Sequence, residues 1–85
     1  MPELARFYGI RITMNIDDHP PAHFHAEYGS DEDMVLVSNG EVYRGWLPGR
    51  AGRLVKEGAL LHRDELDENW LRAHSGRPLL RMAPL

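Results

Sequence analysis

The residues best suited to chemistry lie between Asp17 and Glu27, where two aspartates, three histidines and a glutamate surround the dipeptide Pro20-Pro21. His23 and His25 stand two apart. In an extended strand they share a face, with Cα atoms roughly 6.5 to 7 Å apart, so two imidazoles can meet one ion or one phosphate. Glu27 falls on the same face but roughly 13 Å from His23 along the strand, too far to join both histidines on one cation without a bulge. A complete open zinc site therefore needs a third ligand from Asp17, Asp18 or His19 folded back across the turn, or from a second chain. Alternatively, the pair acts as general base and acid on RNA, because imidazole titrates near neutrality, with Arg6, Arg11 or Arg44 meeting phosphate. The purely structural alternative makes both histidines solvent-facing strand residues, with His19 and one aspartate closing turn hydrogen bonds. His23 and His25 are thus the candidate catalytic pair and the candidate metal ligands. Asp17, Asp18, His19 and Glu27 are candidate binding residues around them. No cofactor is expected beyond a divalent metal at this pair. Phe24 and the flanking alanines carry the burial of the segment, so stability should depend little on the two histidines.

These groups must be positioned by a sheet. FYGIRITMNI alternates Tyr8, Ile10, Ile12, Met14 and Ile16 against Phe7, Gly9, Arg11, Thr13 and Asn15, the period of a half-buried strand over residues 6–16. Pro20 and Pro21 donate no ladder hydrogen bonds and interrupt pairing, which resumes as a strand over 22–28. MVLVSNGEVYRGWL reads as a hairpin of strands 33–38 and 41–47, with Asn39-Gly40 supplying the positive-φ residues of a type I′ turn. That register places Val37 opposite Val42 and Val35 opposite Arg44. Val35, Val37, Val42 and Trp46 then share a face too apolar for water, covered by another chain or by the C-terminal tail, which makes Trp46 a further binding candidate.

After Pro48 the period becomes helical through Ala51, Leu54, Val55 and Leu61, although Gly52 and Gly58 each cost about 1 kcal/mol against alanine. A second amphipathic stretch, DELDENWLRAHSG, carries acids in its first turn and Gly76 as its stop. Continuity of the two helices through His62-Arg63 is left open by the sequence. The tail residues Leu79, Leu80 and Met82 are apolar enough to pack on the domain or a partner. The expected architecture is one α+β domain over 1–85: an antiparallel sheet of about four strands with two C-terminal helices on one face.

Composition narrows the function classes. Eighty-five residues without cysteine build one modest core without disulfides or thiolate ligands. The net charge of −3 disfavours coating of nucleic acid by bulk charge. No run approaches the length of a membrane span, and no basic start precedes an apolar stretch, so a cytoplasmic protein without membrane contact is expected.

FYGIRITMNIDDHPPAHFHAEYG, the LPGRAG helix start, HRDELDENW and the closing Pro84-Leu85 resemble the domain of unknown function 4160 family. HPPAHFHAEYG is the most specific of these strings. Members of that family are bacterial and archaeal and often encoded beside a second small protein, of the domain of unknown function 2442 type. The resemblance implies a two-protein module of toxin–antitoxin kind working through protein–protein interaction, the partner being that neighbour or a second copy of the chain. Gly58 stands where the resemblance implies a large apolar residue. A small ribonuclease using His23 and His25 and a metal-binding accessory protein are the rival expectations.

Overall fold

The computed structural model describes residues 3–82, so the closing Pro84-Leu85 lies outside the described residues. The chain forms an antiparallel meander of five strands, β1 (Glu3–Phe7), β2 (Ile10–Thr13), β3 (His23–Tyr28), β4 (Asp31–Leu36) and β5 (Val42–Gly45), in sheet order β1-β2-β3-β4-β5. Two helices follow, α1 (Gly49–Leu61) and α2 (Arg63–Ala73). The fold is α+β, with five strands where about four were expected.

The extra strand comes from a hairpin hidden inside the first alternating segment. Tyr8 (φ 51°) and Gly9 (φ 76°) both have positive φ and close a two-residue turn, so that Phe7 pairs Ile10 and Ala5 pairs Ile12. The turn resets the phase of alternation. Phe7 consequently packs on the same core as Ile10 and Ile12 rather than on the opposite side, and Ile16, past the end of β2, is exposed.

The second hairpin exists where expected, but its loop is longer. Gly40 N–H donates to the Leu36 carbonyl and Leu36 N–H to the Glu41 carbonyl, leaving Val37, Ser38, Asn39 and Gly40 as the connection. Gly40 alone in this loop takes positive φ, at 71°, while the Asn39 side chain accepts from Glu41 N–H. Val37 N–H turns away to the Ala22 carbonyl. A register shift between Met34 and Val35 then sets Val35 opposite Val42 and Met34 opposite Arg44. The expected shared face is corrected accordingly: Val35 and Val37 are buried in this chain's own core, where neither another chain nor the tail is needed to cover them, whereas Val42 and Trp46 are exposed. Gly45 permits the irregularity. Its φ is +96°, and a Cβ there would come within 2.5 Å of Asp33 Oδ1 and of the Glu32 carbonyl.

Both helices pack on the sheet face carrying Ala5, Ile12, Phe24 and Val35, against which they set Ala51, Val55, Ala59, Leu66 and Ala73. They are separate helices. His62 (φ −105°, ψ 25°) ends α1 and begins α2, with Asp64 and Glu65 in the first turn of α2 facing its positive pole. Gly76, at φ 71°, follows its C-terminus as expected. The tail packs on the domain: the buried Asn69 amide donates to the Leu80 carbonyl and accepts from Leu80 N–H, and Met82 N–H donates to the Leu4 carbonyl on the outer edge of β1. Among the described residues no helix is long and apolar enough to cross a membrane.

Candidate functional site

Alternation along β3 points Phe24 and Ala26 into the helix-covered core and turns His23, His25 and Glu27 to the other face. Those two histidines are nevertheless buried, with 2% and 4% of their surface exposed. The expectation of solvent-facing imidazoles is therefore corrected. The segment from Asn15 to Asp18 folds back over them, and Tyr43 of β5 and Trp70 of α2 close on His23 with ring centroids 5.8 and 5.4 Å away. The idea that stability is indifferent to these side chains loses its basis with their exposure.

Asp18 is the group that the backbone folds back across the prolines. Its Oδ2 lies 2.9 Å from His23 Nε2 and 3.6 Å from His25 Nε2. Asp17 permits the return by taking positive φ (57°), its N–H reaching the Ala73 carbonyl at the end of α2. His74, the C-cap of α2, secures the same turn: Nε2 donates to the Asp18 carbonyl at 2.7 Å and Nδ1 to the Trp70 carbonyl at 2.8 Å. Carbonyls only accept, so the arrangement favours the doubly protonated ring, and the Asp18 carbonyl first, then that of Trp70, raises the His74 pKa. Burial pushes the Asp18 carboxyl up, but the His19 N–H, the Asn15 amide and the His23 ring together outweigh it and hold the pKa at about 2.

The imidazoles are individually oriented. His23 Nδ1 donates to the Pro21 carbonyl at 2.8 Å, which directs Nε2 at Asp18. His25 Nε2 meets Asn15 Nδ2 at 3.2 Å, and the same amide nitrogen donates to Asp18 Oδ2 at 3.2 Å. His25 Nδ1 makes no hydrogen bond and faces the Glu32 carboxylate at 3.5 Å.

The remaining candidates are not drawn into this cluster. Asp17 and His19 are exposed in the turn, where His19 contributes its backbone N–H to Asp18 Oδ1 rather than its ring. Glu27 is engaged by Arg11 at 3.2 Å. Arg11 and Arg6 both bind Glu3, which leaves them poorly placed for phosphate. Trp46 stands beyond the end of β5 and is 66% exposed. Sequence reasoning missed Asn15, Tyr43 and Trp70 as parts of the site. Asn15 had one signal, its place just before the Asp-Asp-His-Pro-Pro turn, but a strand alternation running to Ile16 assigned it outward.

A family model described as domain of unknown function (DUF4160) matches residues 9–71. No curated protein and no solved structure matches the chain. The matched region spans β2 through most of α2 and contains Asn15, Asp18, His23, His25 and Trp46.

Proposed function

The chain belongs to the domain of unknown function (DUF4160) family, and on that premise we propose that it is an interaction protein, one half of a two-protein module of toxin–antitoxin type that docks its partner along β5. The observation that carries this reading is the outer edge of that strand. β5 ends the sheet, so the outward backbone groups of Val42–Gly45 have no neighbouring strand among the described residues. Val42, Tyr43 and Trp46 expose 39%, 41% and 66% of their surface beside it. The opposite edge differs, because Met82 N–H closes onto Leu4 of β1. An uncovered edge with apolar side chains is a template for an added strand, in which main-chain hydrogen bonds supply affinity and alternate side chains supply specificity. The proposed occupant is an extended segment of the small neighbouring protein that the family resemblance implies, with Trp46 as its anchor.

Ribonuclease chemistry at His23 and His25 is less well served. Both rings are buried, so no acid–base group is presented to a phosphate, and of the three candidate guanidiniums Arg6 and Arg11 are held by carboxylates while Arg44 is exposed.

Co-expression with the product of the neighbouring reading frame tests the proposal. The expected result is a stoichiometric complex in which hydrogen exchange slows at Val42–Gly45 and Trp46→Ala weakens binding about tenfold or more. Protection of β5 in a homodimer of this chain would replace the partner, and a complex indifferent to both β5 and Trp46 would overturn the reading.

A further inference from the structure

We propose that Asp18, His23 and His25 form a binding site for one borderline divalent cation of the zinc type. One ligand atom from each residue lies within 4.8 Å of the others. In a tetrahedral zinc site, ligand atoms about 2.0–2.2 Å from the metal lie roughly 3.3 Å from one another. The separations of 2.9 Å from Asp18 Oδ2 to His23 Nε2 and 3.6 Å to His25 Nε2 bracket that value. The two histidine nitrogens lie within 4.8 Å of each other, so binding draws both imidazoles in around Asp18 Oδ2.

The surroundings supply what metal-bound imidazoles require. A ligating histidine is fixed by donating its other ring N–H to a carbonyl or carboxylate. For His23 that partner is the Pro21 carbonyl, at 2.8 Å. For His25 the group in reach is the Glu32 carboxylate, 3.5 Å from Nδ1, which makes no hydrogen bond here and would close one on metal binding. The His23 Nε2 lone pair is thereby aimed at a carboxylate oxygen, an arrangement that attracts only when a proton or a cation stands between them. His25 Nε2 and Asp18 Oδ2 converge on one point from the other side, where the Asn15 amide now donates to both at 3.2 Å. A cation at that point replaces a dipole with a full charge, and rotation of the Asn15 amide would turn its oxygen toward the ion as a further donor.

Access runs past the Asp18 side chain, which is 19% exposed while the histidines are almost wholly enclosed. A hydrated ion can reach the site by that route and keep a water as its fourth ligand. Two nitrogens and one oxygen favour zinc, nickel or cobalt over calcium and magnesium, which take oxygen ligands.

The test uses tag-free full-length protein treated with chelator and titrated with Zn2+ by calorimetry and with Co2+ by visible absorption. The expected result is one equivalent bound, d–d bands of low-coordinate Co2+, and a higher melting temperature, since the ion binds the folded chain and not the unfolded one. Asp18→Asn should fold with a lower melting temperature and bind about tenfold or more weakly, whereas His19→Ala, at the exposed neighbour, should bind as the wild type does. Ring-nitrogen NMR on the wild type keeps the test independent of variant folding: Zn2+ should shift the resonances of His23 and His25 and leave those of His19 and His62. Absence of saturable one-to-one binding, equal binding by wild type and folded Asp18→Asn, or shifts confined to the other histidines would each overturn the site.

Discussion

Asp18 Oδ2 stands 2.9 Å from His23 Nε2 although Pro20 and Pro21 separate the two residues in sequence, so the turn that breaks the sheet also returns a carboxylate to the strand after it. The contact is enclosed by Trp70 and Tyr43, and His23 exposes only 2% of its surface. Replacing His23 with alanine leaves a cavity between those rings and strips the Asp18 carboxylate of a charge-assisted partner. The expected cost is about 2–4 kcal/mol, measured as a lower urea midpoint at unchanged slope. A loss below about 0.5 kcal/mol, the range of ordinary surface changes, would show that the ring contributes no more than an exposed side chain.

Asp33 yields a pH dependence of definite sign. Its carboxylate is buried on the core face, and the Trp46 N–H points toward it without closing a hydrogen bond of normal geometry. Desolvation first, then the charge of Asp31, raises its pKa above the ordinary 3.8. The folded chain therefore holds this proton more tightly than the unfolded chain does. Its contribution to stability falls as pH rises from 3.8 through the raised folded value, and the penalty is constant above that. Asp33→Asn should accordingly stabilise by about 1 kcal/mol at pH 7, an advantage that disappears below the ordinary aspartate pKa. Paired denaturation curves across acid and neutral pH measure it, and an advantage that grew in acid would refute the sign.

Asn69 joins α2 to the tail through two hydrogen bonds with Leu80, at 3.0 and 2.8 Å. Asn69→Ala removes the partners of both the N–H and the carbonyl of Leu80 and should cost about 1–3 kcal/mol. Exchange of the Leu80 and Met82 amides should accelerate with it, because the tail's hold on β1 follows that clamp. Unchanged exchange at Met82 would mean that Leu79 and Met82 hold the tail by packing alone.

Gly58 is buried in the last turn of α1 and lines a narrow apolar cavity with Phe24, Val55, His62 and Leu66. Gly58→Ala gains about 1 kcal/mol of helix propensity and places a methyl group beside that space. Thermal melts should show a rise of roughly 4–8 °C. A fall would mean that the helix approaches the sheet too closely for a Cβ.

Local chemistry in the sequence was sufficient for the element types. The helical period after Pro48, the acids opening α2, Gly76 at its end, the hairpin around Gly40 and the break at Pro20-Pro21 are all short-range signals, and each corresponds to a feature of the fold. The Tyr8-Gly9 turn was hidden because alternation on both sides of a two-residue turn mimics one long strand. The bulge between Met34 and Val35 was hidden because it depends on Val37 preferring the Ala22 carbonyl to a place in the hairpin ladder. The candidate site divides along the same line. His23 and His25 were legible from spacing alone, with a third group expected beside them from the turn or from a second chain. That Asp18 is the residue lying against them, and that the cluster is buried, was decided by tertiary structure. Asp18 reaches the histidines because Ala73 and His74, at the far end of the chain, bind the backbone of Asp17 and Asp18. Contacts between residues so distant in sequence leave no period or local pattern to read.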